Sequence, residues 1–190
     1  MSRATQTVEA VVPYVTLVPS QRRVGRLDVC LRPMESDDIE RMLAFGRSLS
    51  DREILVLRMN LRRRKSIEEW IASIERGRRL TLIIESGDAI LGYGGISLRG
   101  LRWYRHIGDI RLVVHPDHRK AGLGGMLIEE LVDIGRRLGL NRLIAQIPRS
   151  QTGAAAFFRR FGFHQQVLLP DWVIDGDGQT QDLLILTRDL

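Results

Sequence analysis

Residues 109–138 read DIRLVVHPDHRKAGLGGMLIEELVDIGRRL, and this stretch decides the fold. Every second residue from Ile110 to Val114 is apolar and Pro116 follows, which predicts a half-buried strand that ends before the proline. Beyond a Gly-rich segment, apolar residues recur every three or four positions, which predicts an amphipathic helix; they are Leu123, Leu127, Leu131, Ile134 and Leu138. Two arginines in the last turn and Gly139 after it predict where this helix ends.

The segment between the strand and the helix, residues 119–124 (RKAGLG), favours an anion. Glycines let several backbone N–H groups point at one place, and the helix behind them adds its positive end. Arg119 and Lys120 add full charges, so a phosphate or pyrophosphate is the expected ligand, with close strand–helix packing as the alternative. GxxxxGK[ST] and GxGxxG are both absent, which argues against a P-loop ATPase and a dinucleotide-binding fold.

Two motifs then identify a family resemblance. The pattern D-I-x-L-x-V-x-P-x-x-R-x-x-G-x-G-x-x-L, from residue 109 onward, resembles the acyl-CoA-binding motif of the GNAT superfamily of N-acetyltransferases. One strand later, Gln151 to Phe163 resembles the family's N-x-x-A-x-x-x-Y-x-x-x-G-F. Gln151 stands where asparagine is usual, and Phe158 where tyrosine is usual. Two spaced motifs in the right order are more specific than either alone.

The resemblance implies which residues contact acetyl-CoA. In the family the central strand splays from its neighbour and its free amides hold the pantetheine arm, which assigns this role to Leu112, Val113 and Val114, with the Val114 N–H nearest the thioester carbonyl. The pyrophosphate would bind the backbone of the loop, whose residues are Arg119, Lys120, Ala121, Gly122, Leu123 and Gly124. Gln151 and Phe158 complete the expected cofactor contacts.

The catalytic residue implied by position is Asp109, where some family members carry a glutamate base. It would deprotonate the amine directly or through water; the alternative is a carboxylate that only ends a strand or pairs with an arginine. His106 is a weaker candidate. Because Phe158 cannot donate a proton, the leaving thiolate would be protonated by water, Tyr93 or Tyr104, or would leave unassisted, since its pKa is about 8.5.

Composition sets the broad class. The chain has 190 residues, 44% of them hydrophobic, a net charge of +6 and one cysteine, which is typical of a single-domain protein of the reducing cytoplasm. No apolar run approaches a membrane span, and no secretion signal is evident. We expect an N-terminal extension over residues 1–27, with a strand or a disordered arm at residues 8–18, and one domain over residues 28–190.

The element order β-α-α-β-β-β-α-β-α-β-β predicts an α/β fold with a mixed, mostly antiparallel central sheet and helices on both faces, acyl-CoA N-acyltransferase-like. A helical region over residues 51–76 is expected to break near residues 60–65 and restart at a Ser66 cap. Three glycines in the second strand of a predicted hairpin, Gly92, Gly94 and Gly95, indicate a bulge, a close ligand or tight packing.

The leading hypothesis is therefore an acetyl-CoA-dependent N-acetyltransferase without a metal. A CoA-binding sensor without turnover is the alternative. The third hypothesis is a protein that binds nucleic acid or a phosphoprotein through the basic run at residues 62–65. Otherwise this run is a solvated face or a contact for phosphate or an acidic substrate. Neither nucleic acid nor membrane is expected as a partner. The acceptor amine is not identified, although four aspartates in residues 168–182 suit a cation and Trp103, Tyr104 and Trp172 could form an aromatic wall. An exposed final strand could pair across a homodimer.

Overall fold

The computed structural model describes residues 19–57, 59–98 and 102–190. Its helices and strands, in chain order, are β1 Ser20–Val24, β2 Leu27–Pro33, α1 Ile39–Ser48, α2 Asp51–Leu55, α3 Arg64–Glu75, β3 Arg79–Ser86, β4 Ala89–Leu98, β5 Ile107–Val114, α4 Leu123–Arg137, β6 Arg142–Pro148, α5 Thr152–Arg160, β7 His164–Ile174 and β8 Thr180–Asp189. The strands form one sheet in the order β1-β2-β3-β4-β5-β6-β8-β7. Among these described strands only the β5–β6 pair is parallel, so the mixed, mostly antiparallel sheet is confirmed.

Helices cover both faces of the sheet, as predicted. Along β3, Leu82 and Ile84 join the core under α4 and α5, whereas Ile83 joins the core under α1 and α3. This alternation follows from the two-residue repeat of a strand. Four residues of the predicted stripe, from Leu123 to Ile134, are buried in α4, and Leu127 and Leu131 are fully inaccessible. The fifth, Leu138, is half-buried at the C-cap of the helix. The motif that begins at residue 109 therefore lies at the centre of the larger core.

Tight packing and a bulge explain the glycines of β4. The register between β3 and β4 slips after Ile84, so Leu91 is an extra residue in β4. A Cβ on Gly94 would lie 2.8 Å from the Leu131 Cδ1, and one on Gly92 would lie 2.8 Å from the Val113 carbonyl oxygen. The glycines let α4 and β5 approach β4 closely, and the expectation of a nearby ligand is not needed to account for them.

Several boundaries differ from the prediction. Residues 20–24 of the expected N-terminal extension are strand β1, which pairs with β2 at the edge of the sheet; their sequence SQRRV lacks the apolar alternation that would have indicated a strand. The predicted element at residues 8–18 lies outside the described residues, and the domain boundary at residue 28 stays a prediction. Helix α3 begins after an Arg63 cap, because the Ser66 N–H already donates to the Arg63 carbonyl inside the first turn.

The last two strands, predicted from the sequence over residues 164–169 and 183–187, are longer in the structure. β7 extends to Ile174 and β8 starts at Thr180, and a turn over residues 175–178 joins them. Most of β7 is exposed, which removes the pattern from which a strand is recognised. None of the helices in the described parts of the chain has both the length and the apolar character needed to cross a membrane.

Candidate active site

The two parallel strands separate in the middle of the sheet. β5 and β6 pair at three positions, the last of which joins Asp109 to Ile144. Beyond that point β5 continues to Val114 with β4 alone as its partner, while β6 continues to Pro148 with β8 alone. The strands therefore splay, and a gap opens between them immediately after Asp109.

Backbone amides of β5 face this gap. The His115 N–H donates to the Leu91 carbonyl of β4 at 2.8 Å. Since N–H directions alternate along a strand, the Leu112 and Val114 amides point the other way, into the gap. Val113 differs from the prediction, because its amide faces β4 and its side chain packs on the α1–α3 side. Two of the three β5 residues assigned to the cofactor thus present an N–H to the gap.

The Gly-rich loop lies at the far end of β5. A short 3-10 turn over Pro116–His118 reverses the chain, and two residues with left-handed backbone follow, Lys120 at φ 63° and Gly122 at φ 95°. Gly122 is the N-cap of α4, and its carbonyl accepts the first helical hydrogen bond from Met126. The N–H groups of the first turn are therefore left pointing out of the helix, where its dipole favours an anion.

Phenylalanines of α5 pack beneath the start of α4. A Cβ on Gly124 would lie 3.3 Å from the Phe157 ring, and one on Gly125 would lie 3.2 Å from the Phe161 ring. The glycines of the motif therefore also permit close helix packing, the alternative considered from the sequence. Sequence analysis missed Phe157, although its four-residue spacing from Phe161 places both rings on one helix face.

The second motif contributes mainly packing. Phe158 is 7% exposed, and its ring packs edge-on against Phe163 with 5.0 Å between the centroids. Gln151 lies at the N-cap position of α5 without a side-chain capping bond, and its carbonyl accepts from the Ala155 N–H. The structure thus places Phe158 in the core, while Gln151 ends the loop that leaves β6.

Asp109 borders a small cavity on the α1–α3 side of the sheet, which we call the inner cavity. It measures about 30 Å³, which suits a single water molecule. Its lining residues are Met59, Trp70, Arg79, Thr81, Tyr93, Gly95, Ser97, Asp109, Ile110 and Arg111. The Asp109 side chain is 5% exposed and accepts a hydrogen bond from Gln146 Nε2 at 3.2 Å.

Positive charge surrounds the phenol in this cavity. Burial raises the pKa of Tyr93 to about 12, although the nearby charges of Arg111 and Arg79 act to lower it. Tyr93 therefore stays protonated at neutral pH. Of the two tyrosines considered as proton donors to the thiolate, Tyr93 is the one that lines the inner cavity. Tyr104 is 37% exposed, on the turn before β5. Arg111 Nη1 also donates to the Val56 carbonyl at 2.5 Å, which ties β5 to the end of α2.

A larger depression, the outer cleft, adjoins the inner cavity. It measures about 540 Å³ and shares Met59, Trp70 and Arg79 with the inner cavity. The rest of its lining is polar: Asn60, Arg63, Ser66, Glu69 and Ser73. The Trp70 indole N–H donates to Thr81 Oγ1 at 2.9 Å, which fixes the wall between the two spaces.

An ion pair joins α2 to the Gly-rich loop. The Arg119 guanidinium binds the Glu53 carboxylate, and its Nε also donates to the Val114 carbonyl at 3.3 Å. Although burial acts to raise it, the pKa of Glu53 is lowered by the hydrogen bonds from Arg119 and Ser50. The Arg119 side chain therefore braces the loop against α2.

Three of the four aspartates suggested for a cationic acceptor, Asp171, Asp175 and Asp182, have structural partners for their carboxylates. Asp182 binds Arg149 at 2.7 Å, and Asp175 accepts from the Asp177 and Gln179 amides inside its turn. Asp171 accepts from the Thr180 hydroxyl. These contacts account for three of the four aspartates through ion pairing and turn geometry. Trp103 and Trp172 are 74% and 64% exposed.

Within the described residues, the histidines are not grouped with other side chains as metal ligands. His106 lies in the turn before β5, and its carbonyl accepts from the Asn141 amide at 2.8 Å. The His115 and His118 rings lie 5.5 Å apart beside the loop. Across residues 19–57, 59–98 and 102–190, no three His, Cys, Asp or Glu side chains group closely enough to hold a metal ion.

The splayed strands with a Gly-rich loop at their end are the arrangement of an acyltransferase fold, as comparison with known proteins shows. The acetyltransferase (GNAT) family model matches residues 49–163, more than half of the chain, so the protein belongs to this family. YncA of Salmonella typhimurium, solved with acetyl-CoA, superposes with a TM-score of 0.72 at 20% identity, covering 85% of this chain and 94% of that one. A phosphinothricin acetyltransferase from Sinorhizobium meliloti, in complex with acetyl-CoA, gives 0.72 at 21% identity, covering 85% and 88%.

Curated relatives match a shorter part of the chain at somewhat higher identity. The L-amino acid N-acyltransferase MnaT of Escherichia coli is 28% identical over 90 residues, 47% of this chain and 52% of that protein. The L-methionine sulfoximine/L-methionine sulfone acetyltransferase of Salmonella typhimurium is 27% identical over 90 residues, 47% of this chain and 53% of that protein. The chain thus spans about half the length of these relatives.

Proposed function

We propose that the protein transfers an acetyl group from acetyl-CoA to an amine. The observation that carries this proposal is the gap between β5 and β6, which opens directly beyond the buried Asp109 and ends at the Gly-rich loop. A cofactor lying in this gap would meet the Leu112 and Val114 amides, with its pyrophosphate on the backbone of residues 119–124. Gln151 lies on the β6 side of this gap, after the end of that strand.

Acyl transfer requires the amine to lose a proton, because a lysine-like ammonium has a pKa near 10.4. The inner cavity is the size of a water molecule and adjoins Asp109, which supports a relay in which water takes the amine proton and passes it to the carboxylate. The amine nitrogen then attacks the thioester carbonyl, and the Val114 N–H stabilises the oxyanion. Collapse breaks the C–S bond, and the second proton lost by the nitrogen protonates the leaving CoA thiolate, directly or by way of water or Tyr93.

The acceptor class supported by the comparisons is a primary amine. The names of the relatives refer to L-amino acids, and another, 28% identical over 75 residues, is a [ribosomal protein bS18]-alanine N-acetyltransferase. We extend to this chain only the shared chemistry, an amino group on a small molecule or a protein. No metal takes part in the steps above, so a chelator is expected to leave the rate unchanged.

A binding function without turnover is the second candidate, because Phe158 is buried where many family members carry an acidic hydroxyl. The two are separated by incubating the protein with acetyl-CoA and a panel of amines, and measuring free CoA and acetylated amine by mass spectrometry. An enzyme forms both in equal amounts with at least one amine. A sensor is stabilised by acetyl-CoA, yet no amine raises CoA release above the rate of hydrolysis.

Two further properties are proposed on narrower grounds. The final strand, β8, lies between β6 and β7, so the expectation that it pairs across a dimer does not fit the sheet order. β7 is instead an edge strand, and its exposed side chains include Val167, Trp172 and Ile174, so a second copy could extend the sheet there into a homodimer. Sedimentation of the wild type at several concentrations tests this assembly. The single cysteine favours the reducing cytoplasm as the location.

A further inference from the structure

We infer that the hairpin of β1 and β2 forms part of the cofactor site, and that Arg26 at its tip binds the 3′-phosphate of CoA. This inference rests on the proposed function and deepens it. CoA carries a third phosphate on its ribose, one sugar away from the pyrophosphate. With the pyrophosphate on the backbone of residues 119–124, a cation for the third phosphate has to come from this loop or from an element beside it.

The hairpin packs directly against the Gly-rich loop. A Cβ on Gly122 would lie 3.0 Å from the Val24 Cγ1, which leaves little room for a side chain at this position. Val24, Leu27 and Ala121 are partly buried against the same core cluster. The end of β1 therefore lies beside the residue that caps α4, and the tip of the hairpin lies beside the expected pyrophosphate position.

An ion pair fixes the hairpin on α4. Arg22 Nη2 donates to Glu130 Oε2 at 2.8 Å, and Arg137 binds the other oxygen of that carboxylate at 3.5 Å. Arg22 and Val24 are two residues apart in β1, so both side chains lie on the face of the strand that is turned to α4. The hairpin is thus held at two points, one at the loop and one about two turns along the helix.

Arg26 is the arginine of this hairpin that is available to a ligand. Arg22 is engaged in the ion pair on α4, and the Arg23 Nε lies 3.9 Å from Asp28. Among the described residues, no hydrogen bond or ion pair engages the Arg26 side chain. It follows Gly25, at φ 62°, in the two-residue turn between the strands, and it is exposed. Its guanidinium can therefore turn towards a phosphate without breaking an existing contact.

The other groups around the loop are less suited to a third phosphate. The Arg119 guanidinium already binds the Glu53 carboxylate. On the α5 side, the start of α4 meets the rings of Phe157 and Phe161, which carry no charge. Lys120 lies on the loop itself, but its ammonium lacks the planar fork with which a guanidinium binds two phosphate oxygens. Arg26 is therefore the preferred ligand.

The test compares the Kd values of acetyl-CoA and acetyl-3′-dephospho-CoA by isothermal titration calorimetry, which needs no turnover. The two ligands differ only in the third phosphate. Wild type should bind acetyl-CoA about tenfold more tightly, the usual effect of a charge-assisted hydrogen bond. Arg26→Gln should lose most of this preference, while its Kd for the dephospho ligand stays at the wild-type value. Arg160→Gln, which removes an exposed arginine from the end of α5, is the matched control and should keep the full preference.

Four results would overturn the inference. Equal Kd values in wild type would show that the third phosphate is not bound. A preference that survives in Arg26→Gln and disappears in Lys120→Gln would assign the phosphate to the loop. A preference that disappears in Arg160→Gln would assign it to α5. Equal weakening of both ligands by Arg26→Gln would give the hairpin a structural role alone, because loss of a phosphate contact cannot affect a ligand without that phosphate.

Failure of the proposed function would look different. In that case wild type would bind neither ligand, whatever the state of its ribose. Binding of both ligands with the same Kd would keep the acetyl-CoA site and remove only the role of Arg26. Equal melting temperatures of wild type and Arg26→Gln without ligand are the control that the turn variant is folded.

Discussion

Replacing Asp109 with asparagine tests the base directly. In wild type the Gln146 Nε2 donates to the Asp109 carboxylate at 3.2 Å. Asparagine keeps the shape of the side chain and an oxygen that can accept this hydrogen bond, but it cannot take up a proton. General bases contribute about 10²–10⁴-fold to rate. Because the water-sized inner cavity points to an indirect transfer, we expect a loss near the lower end, about 100-fold in kcat, or about 3 kcal/mol of barrier.

The pH profile separates a base from a positioning residue. Without a base the variant depends on amine that is already neutral, and this fraction rises about tenfold per pH unit below the amine pKa of about 10.4. The deficit of Asp109→Asn should therefore shrink from about 100-fold at pH 7 towards wild-type rates by about pH 9 for a lysine-like acceptor. The assay is CoA release from pH 6.5 to 9.5.

Two outcomes would refute this reasoning. Wild-type kcat in Asp109→Asn across the whole range would show that the carboxylate does no proton transfer. A deficit that is the same at every pH would assign Asp109 to positioning. The control for folding and cofactor binding is that Asp109→Asn has the same melting temperature as wild type without acetyl-CoA and the same increase when acetyl-CoA is added.

The remaining predictions concern stability. Gly46→Ala should destabilise the protein by about 2 kcal/mol, although alanine has the better helix propensity. The new Cβ would meet the Leu61 carbonyl and lie 2.8 Å from the Leu61 Cβ. Urea unfolding measures the loss of stability, and a gain in stability would contradict this packing. Arg32→Met should cost about 3 kcal/mol, since it removes a partner 2.6 Å from the 1% exposed carboxylate of Asp38; a melting temperature equal to that of wild type would refute this. Burial acts to raise the pKa values of Asp38 and Glu85, yet the Arg32 hydrogen bonds hold both below their ordinary values, so their contribution is present above about pH 4 and is lost as the pH falls further. Unfolding midpoints between pH 6 and 2 should show this loss in wild type and a smaller one in Arg32→Met.

The sequence was most informative where the same residues determine the local backbone conformation and also form the buried surface. The α4 stripe from Leu123 to Ile134 is buried as predicted, and Gly139 follows the helix end with a left-handed φ of 68°. The motif order also indicated the fold, because a Gly-rich loop between a strand and a helix constrains the chain locally. These features depend on residues that are close together in the sequence, so they can be predicted from the sequence alone.

Other features depend on contacts between distant parts of the chain. The short edge strand β1 shows no apolar repeat, and β7 is too exposed to show one. The packing of Phe157 on Gly124 and the convergence of Arg63 with Arg79 join residues far apart in sequence. The aspartates near residue 175 could not be assigned a role from the sequence, because the same side chains suit turns and cations.

The most direct test of the cofactor site is the melting temperature with acetyl-CoA for wild type, Gly124→Ala and Gly124→Glu. Both variants place a Cβ 3.3 Å from the Phe157 ring, so they share any cost of packing, and only glutamate adds bulk and negative charge at the expected pyrophosphate position. We predict that wild type and Gly124→Ala gain about 2.7 kcal/mol at a ligand concentration of about 100 times Kd, and that Gly124→Glu gains nothing. An equal gain in all three, or none in wild type, would contradict the central claim that this loop and the β5–β6 gap bind acetyl-CoA.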